Sequence, residues 1–186
     1  MMVKRCQWAE NASQLEMDYH DHVWGVPVYD DTVLFEFLTL EGAQAGLSWA
    51  LILQKREGYR AAFDAFDVHK IVLYTPKKLE SLYQKKAIIR NKLKINSVVS
   101  NAKAFIKIQN EFGSFSDYIW EFVDHKQIIN AWQHHSDIPA KTDLSEKITK
   151  DLKKRGFKFV GGTIVYAYMQ ATGMVNDHTV DCFCRN

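Results

Sequence analysis

Residues 91–111 set Ile95, Val98, Val99, Ala102, Phe105 and Ile106 at steps of three and four. That spacing lines one face of an α-helix and does not fit the two-residue period of a half-buried strand. The helical period recurs along most of the chain. Leu34, Phe35 and Leu38 follow Asp31, a candidate N-cap, and are expected to turn one helix face into a core. Ser48 precedes "WALILQKREGYRAAF", and Thr75 precedes Pro76, a residue favoured at the first helical position. Ser116 is expected to open "DYIWEFVDH". Thr142 or Asp143 opens "LSEKITKDLKK", where Leu144, Ile148 and Leu152 form a stripe. Thr163 opens "IVYAYMQAT", with Gly173 as its stop. Strict alternation is scarce, so the expected fold class is all-α. Segment 125–142 is the least periodic and reads as a surface loop with one turn of helix.

A chain of 186 residues, 47% hydrophobic and 25% charged, suits one globular domain spanning 1–186. No apolar run approaches the ~20 residues that span a bilayer, so no membrane association is expected. The segment "MMVKRCQWAEN" has no apolar core of a secretory signal, and three Cys argue against a disulfide framework. Both point to a reducing cytoplasm. Net charge is only +2 but uneven. Residues 1–50 hold eight acids against Lys4 and Arg5, whereas residues 84–110 hold seven Lys/Arg and no acid. Residues 141–160 hold seven Lys/Arg against three acids. Such runs suggest a local polyanion surface, but for charge runs alone solvated helix faces are the favoured reading.

The stretch "LEGAQAGLSW" at 40–49 is harder to explain structurally. A carboxylate near a helix C-terminus meets the negative end of the dipole, at a cost of roughly 0.3–1 kcal/mol. Glu41 therefore reads as a pocket acid. Gly46 and Leu47 read as an exposed tip with one apolar wedge, and Trp49 as a flat wall. Tyr19, Trp24 and Trp8 lie upstream, although core packing is the better reading for Trp24 and Trp120. An acid among aromatics suits a flat, amine-bearing, electron-poor heterocycle, which gains ~1–3 kcal/mol per stacked base.

Two further pieces carry chemistry. "NDHTVDC" spaces His178 and Cys182 four apart, one face of a helical turn, so both can meet one metal ion. Cys6 and His20 offer a second pair near the other terminus, with His22 and Cys184 as competing ligands. Ordinary thiols and surface histidines are an equal reading. "LKKRGFKFVGGTIVY" joins two helices through a glycine-containing hairpin, with Gly156 able to end the first in a left-handed conformation. Backbone N–H groups near Gly161 and Gly162 can hold a phosphate, and Lys153, Lys154, Arg155 and Lys158 surround them. This resembles a DNA-gripping helix-hairpin-helix, though a plain helical hairpin has the same shape.

Taken in order, "RCQW", "YHDHVWGVP", "LEGAQAGLSW", "LQKREGYRAAF", "IIRNKLKI", "LKKRGFKFVG" and "MVNDHTVDC" resemble the DNA-3-methyladenine glycosylase I (Tag) family over nearly the whole chain. The resemblance implies a helix-hairpin-helix glycosylase fold with a zinc site joining the N- and C-terminal segments. It implies structural zinc on Cys6, His20, His178 and Cys182. It implies that Tyr19 and Glu41 hydrogen-bond a flipped base, that Trp49 stacks on it, and that Leu47 beside Gly46 enters the gap in the DNA. The family often has another pocket tyrosine three residues before Tyr19, where this chain has Glu16. Either one wall is absent, or the loop between Cys6 and His20 is shifted.

The implied activity is excision of 3-methyladenine from alkylated double-stranded DNA by a monomeric enzyme of base excision repair. A methylated, cationic base leaves as a neutral purine, so no strong acid is needed, and no Asp general base is assigned because the first acid after the hairpin is Asp177. Glu41 is the candidate catalytic residue. The alternatives are a non-catalytic lesion-binding protein of the same fold and, more distantly, a zinc hydrolase with an open metal position, for which Cys184 is the supporting feature.

Overall fold

The computed structural model describes residues 3–185. Nine α-helices appear among them: α1 (Gln14–His22), α2 (Asp31–Gln44), α3 (Trp49–Ala62), α4 (Val68–Ile71), α5 (Pro76–Tyr83), α6 (Lys92–Phe112), α7 (Phe115–Glu121), α8 (Asp143–Lys154) and α9 (Gly162–Ala171). The helical period is thus a sound guide to fold class. No helix among the described residues is long and apolar enough to cross a membrane.

The centre of the fold is α2. Every residue from Leu34 to Ala43 is buried, and α3, α6, α7 and α9 all pack on it. This corrects the expectation of a helix with one buried face, because a helix enclosed on all sides has no polar stripe to read. Its buried acid Glu36 is neutralised from α3, accepting from Arg56 Nε at 2.6 Å and from Arg60 at 3.0 and 3.1 Å.

Several helix starts differ from the sequence expectation. Asp30, not Asp31, caps α2 by accepting from Val33 N. The Asp31 carboxylate instead accepts from Phe115 N and Ser116 N at 2.9 and 2.8 Å, so it fastens the start of α7 to α2. Ser114, not Ser116, caps α7. Gly161 rather than Thr163 occupies the N-cap of α9, with no side-chain cap. The remaining caps fall as expected at Ser48, Thr75 and Thr142. Segment 125–142 contains the expected single helical turn, His135–Asp137, and also a short strand. That strand, β1 (Ile128–Ile129), pairs in parallel with β2 (Val175–Asn176), which a two-residue pattern cannot announce.

The hairpin between α8 and α9 ends α8 in a Schellman motif. Phe157 N donates to Leu152 O and Gly156 N to Lys153 O, both at 3.0 Å, with Gly156 at φ +97°. Asn101 of α6 clamps the hairpin, donating to Lys158 O at 3.0 Å and accepting from Lys158 N at 2.8 Å. Phe159 lies against Gly42, where any side chain would be crowded. The hairpin therefore rests on the last turn of α2, one residue from Glu41.

Candidate active-site cleft and metal centre

The last turn of α2, the first turn of α3, the end of α1 and one face of α9 enclose a cleft of about 370 Å³. Tyr19, Trp8, Trp24 and Trp49 form its aromatic walls and Glu41 its acid. Tyr19 and Trp49 have ring centroids 5.3 Å apart at 53°, and Trp8 meets Trp24 edge-on at 5.4 Å. Tyr19, Glu41 and Trp49, which stand out in the sequence, thus meet at one place although they come from three different helices.

Glu41 is 3% exposed, and its carboxyl group has no hydrogen-bond partner among the described residues. Burial alone pushes it up to about 8. Tyr19 is held far above the usual phenol range by burial first and by the Glu41 charge second. The dipole cost at this helix end is relieved nearby. Lys94 Nζ donates to Ala43 O at 2.8 Å and Ala45 O at 2.7 Å, satisfying terminal carbonyls of α2. One lysine of the acid-free run 84–110 is therefore a helix cap rather than a free surface charge.

Beyond Ala45 the chain turns at Gly46, whose φ of +79° favours glycine. A methyl group added at Gly46 would meet nothing within 4 Å, so the turn stands clear of the rest of the fold. Leu47 follows with 37% exposure. The expected small tip with one apolar side chain is present. Glu16 is not part of the cleft. Its carboxylate closes the N-terminal capping box of α1, accepting from Ser13 N at 3.1 Å and Ser13 Oγ at 2.8 Å.

The second cluster adjoins the first. Cys6, His20, His178 and Cys182 are all buried, with one ligand atom from each lying within 4.8 Å of the others. Cys6 Sγ is 3.5 Å from His178 Nδ1, and Cys182 Sγ is 3.4 Å from the same nitrogen and 3.5 Å from His20 Nε2. The outer nitrogens fix the tautomers. His20 Nδ1 lies 2.8 Å from the Asp21 carboxylate, and His178 Nε2 lies 3.0 Å from Trp24 O. Each ring thus spends its N–H outward and turns a lone pair inward. The hydrogen bond from Cys6 holds the Cys182 thiol well below its ordinary range, with His178 and His20 adding to the effect. Such a set can hold a metal ion. His178 and Cys182 do converge, but not on a helical turn. Thr179–Cys182 is a tight turn, closed by Cys182 N donating to Thr179 O at 2.9 Å. Cys184 is half-buried and sits outside the four, near Asp21 O at 3.8 Å.

The hairpin residues behave differently from one another. Lys153, Lys154 and Lys158 are exposed, but Arg155 is engaged within the protein. It donates to Asp151 and Glu111, both at 2.7 Å, and stacks over Phe112 and Tyr118. The start of α9 at Gly161 is free of side chains, while the Glu146 carboxylate lies against Gly162.

Gln44, His135, Ile138, Ala167 and Gln170 complete the cleft, and sequence reasoning missed them. Ala167 and Gln170 are three apart on α9, a spacing that marks one helix face. His135 and Ile138 come from the irregular segment, where no period exists to follow.

A family model described as methyladenine glycosylase matches residues 8–185. The chain is 45% identical over 184 residues to DNA-3-methyladenine glycosylase of Haemophilus influenzae, covering 99% of each. A crystal structure of 3-methyladenine DNA glycosylase I superposes with a TM-score of 0.94 at 46% identity, covering 97% of this chain and 99% of that one. A variant of 3-methyladenine DNA glycosylase I in complex with 3-methyladenine gives a TM-score of 0.94 at 35% identity, covering 98% and 97%. Sequence and fold agree over almost the full length, and the chain belongs to the methyladenine glycosylase family.

Proposed function

We infer that the protein is a DNA-3-methyladenine glycosylase, a repair enzyme that flips the methylated base out of alkylated double-stranded DNA and hydrolyses its N-glycosidic bond. The observation that carries this reading is the buried Glu41 carboxyl, without a partner among the described residues, between Tyr19, Trp49, Trp8 and Trp24.

3-Methyladenine in DNA is a cation, and it leaves as a neutral purine once water adds to the sugar carbon and the glycosidic bond breaks toward the base. Recognition of charge is therefore the main task of the cleft. In the free protein at pH 7 Glu41 is mostly protonated, because burial holds it near 8. The positive charge of the bound ring favours the ionised carboxylate, so Glu41 releases its proton to solvent and then accepts from the exocyclic amine. Trp49 supplies a stacking face, worth ~1–3 kcal/mol per base, and the Tyr19 hydroxyl a further hydrogen bond to the base. A neutral base gives Glu41 no reason to ionise, which favours the alkylated lesion over ordinary adenine. Glu41 is the candidate catalytic residue through this contact.

Flipping costs a few kcal/mol, less for a damaged base. Leu47, raised on the Gly46 turn, fills the space the nucleotide leaves. The N–H groups at the start of α9 beside Gly161 hold a phosphate, with Lys153, Lys154 and Lys158 adding charge. Arg155 supports the hairpin from within.

Cys6, His20, His178 and Cys182 are assigned to one structural zinc ion. Zn–S of ~2.3 Å and Zn–N of ~2.0–2.1 Å give tetrahedral S···N edges of about 3.5–3.6 Å, and the separations here are 3.4 and 3.5 Å. Four protein ligands supply folding energy and leave no open position for water.

Chromatography of bases released from methylated DNA tests this function. The purified protein is expected to release 3-methyladenine, and a folded sample that releases no base would refute it.

A further inference from the structure

Asp177 is fully buried beside the cleft and takes no part in the base contacts described so far. Its Oδ1 accepts from Asn130 Nδ2 at 2.6 Å and Trp132 Nε1 at 2.8 Å. Its Oδ2 accepts from the Tyr166 hydroxyl at 2.6 Å and Gln170 Nε2 at 2.8 Å. Four donors converge on its two oxygens and fill their acceptor sites. A group so saturated is not free to take a proton from water, so Asp177 is not a general base.

What the four bonds accomplish is positional. Asn130 and Trp132 belong to the segment that brings His135 and Ile138 to the cleft. Tyr166 and Gln170 belong to α9, and Gln170 lines the cleft itself. Because the carboxylate only accepts, the Gln170 amide must face it with its NH2 group. The carbonyl Oε1 then lies on the other side, and no group among the described residues hydrogen-bonds to it. The orientation of this amide is fixed by chemistry.

We propose that Asp177 is a positioning residue that locks the Gln170 amide with Oε1 toward the cleft, and that Gln170 is a specificity-determining residue accepting a hydrogen bond from the exocyclic amine of the bound purine. This rests on the reading that the cleft takes the base. An amine carries two N–H bonds, so Glu41 and Gln170 can each accept one. A purine with a carbonyl in place of the amine leaves the fixed Gln170 Oε1 facing an acceptor, whereas Glu41, protonated beside a neutral base, can still donate to it. Sites built on hydrogen bonds reject such analogues far more strongly than apolar pockets do.

Fluorescence titration with free 3-methyladenine and with 3-methylhypoxanthine, its 6-oxo counterpart, tests the proposal, using the cleft tryptophans as reporters. The parent is expected to prefer the amine. Gln170→Met keeps length but cannot accept, and is expected to reduce that preference roughly fivefold, the worth of one hydrogen bond. Asp177→Asn frees the amide to turn its NH2 inward and is expected to move the preference further toward the 6-oxo base. A merely structural role would weaken both ligands by the same factor, and that result overturns the proposal. An unchanged ratio in Gln170→Met overturns it too, even if Asp177→Asn fails to fold. A folded parent that binds neither base would instead overturn the base-site reading beneath it.

Discussion

The Trp24 carbonyl accepts a hydrogen bond from His178 Nε2 at 3.0 Å, and the Trp24 indole meets the same imidazole edge-on with ring centroids 4.7 Å apart. His178 belongs to the Cys/His cluster, while Trp24 is a wall of the cleft. Tyr19 and His20 make the same connection from α1, one facing the cleft and its neighbour the cluster. The cluster is therefore the footing of the cleft wall.

Cys182→Ser is expected to lose the bound zinc and several kcal/mol of folding energy. At about 2–4 °C per kcal/mol for a chain of this size, melting should fall by roughly 10 °C. Metal content by elemental mass spectrometry and a thermal scan check this. Affinity for free 3-methyladenine should fall in parallel, because the wall loses its support.

Glu41 links stability to pH with a definite sign. Its folded value near 8 lies above the ordinary value of 4.5, so the folded state holds the proton more tightly between those limits. The Glu41 contribution to stability is fully present below about 4.5 and is lost as pH rises from there through 8, at up to about 1.4 kcal/mol per pH unit. Glu41→Gln removes this dependence. It should melt above the parent at pH 8.5, with the gap closing toward pH 5, as scanning calorimetry across that range will show.

The hairpin cations should separate in the laboratory as they do in the structure. Lys153→Ala is expected to lower DNA affinity alike for damaged and undamaged duplexes and to reduce the log–log salt slope by about 1. Arg155→Ala should leave that slope near the parent's and cost about 1–2 kcal/mol of stability through its lost ion pairs and aromatic stacking. Fluorescence anisotropy over a salt series, with thermal melts, distinguishes them.

Leu47→Ala should leave melting nearly unchanged, within ~0.5 kcal/mol, because the side chain stands at an exposed tip. Free 3-methyladenine should bind as to the parent. Excision from duplex DNA should slow markedly, since only there must a gap be filled. Single-turnover rates on single- and double-stranded substrates provide the comparison.

The residues most legible in the sequence are those that are costly for structure alone. Glu41 sits where a helix disfavours an acid, and Gly46 where only a left-handed turn requires glycine. The Cys and His pairs stand out as rare residues at ligand spacing, even though a tight turn rather than a helix presents the second pair. Periodicity yields the helices, α2 included, but not the enclosure of α2 on all sides. Asp31 illustrates a different limit. Its local position suggests a cap for its own helix, yet it fastens α7, more than 80 residues away. Gln170 and Asp177 stay hidden because their role lies in a network spanning residues 130–177, visible only once the chain has folded.

The most direct test compares the parent and Glu41→Gln side by side for 3-methyladenine release from methylated duplex DNA. The parent should excise the base, and the folded variant should do so at least about tenfold more slowly, reflecting one lost charge-assisted contact of ~1.5–3 kcal/mol. Equal rates from two folded, zinc-loaded proteins would contradict the assignment of Glu41 as the residue that reads the cationic base.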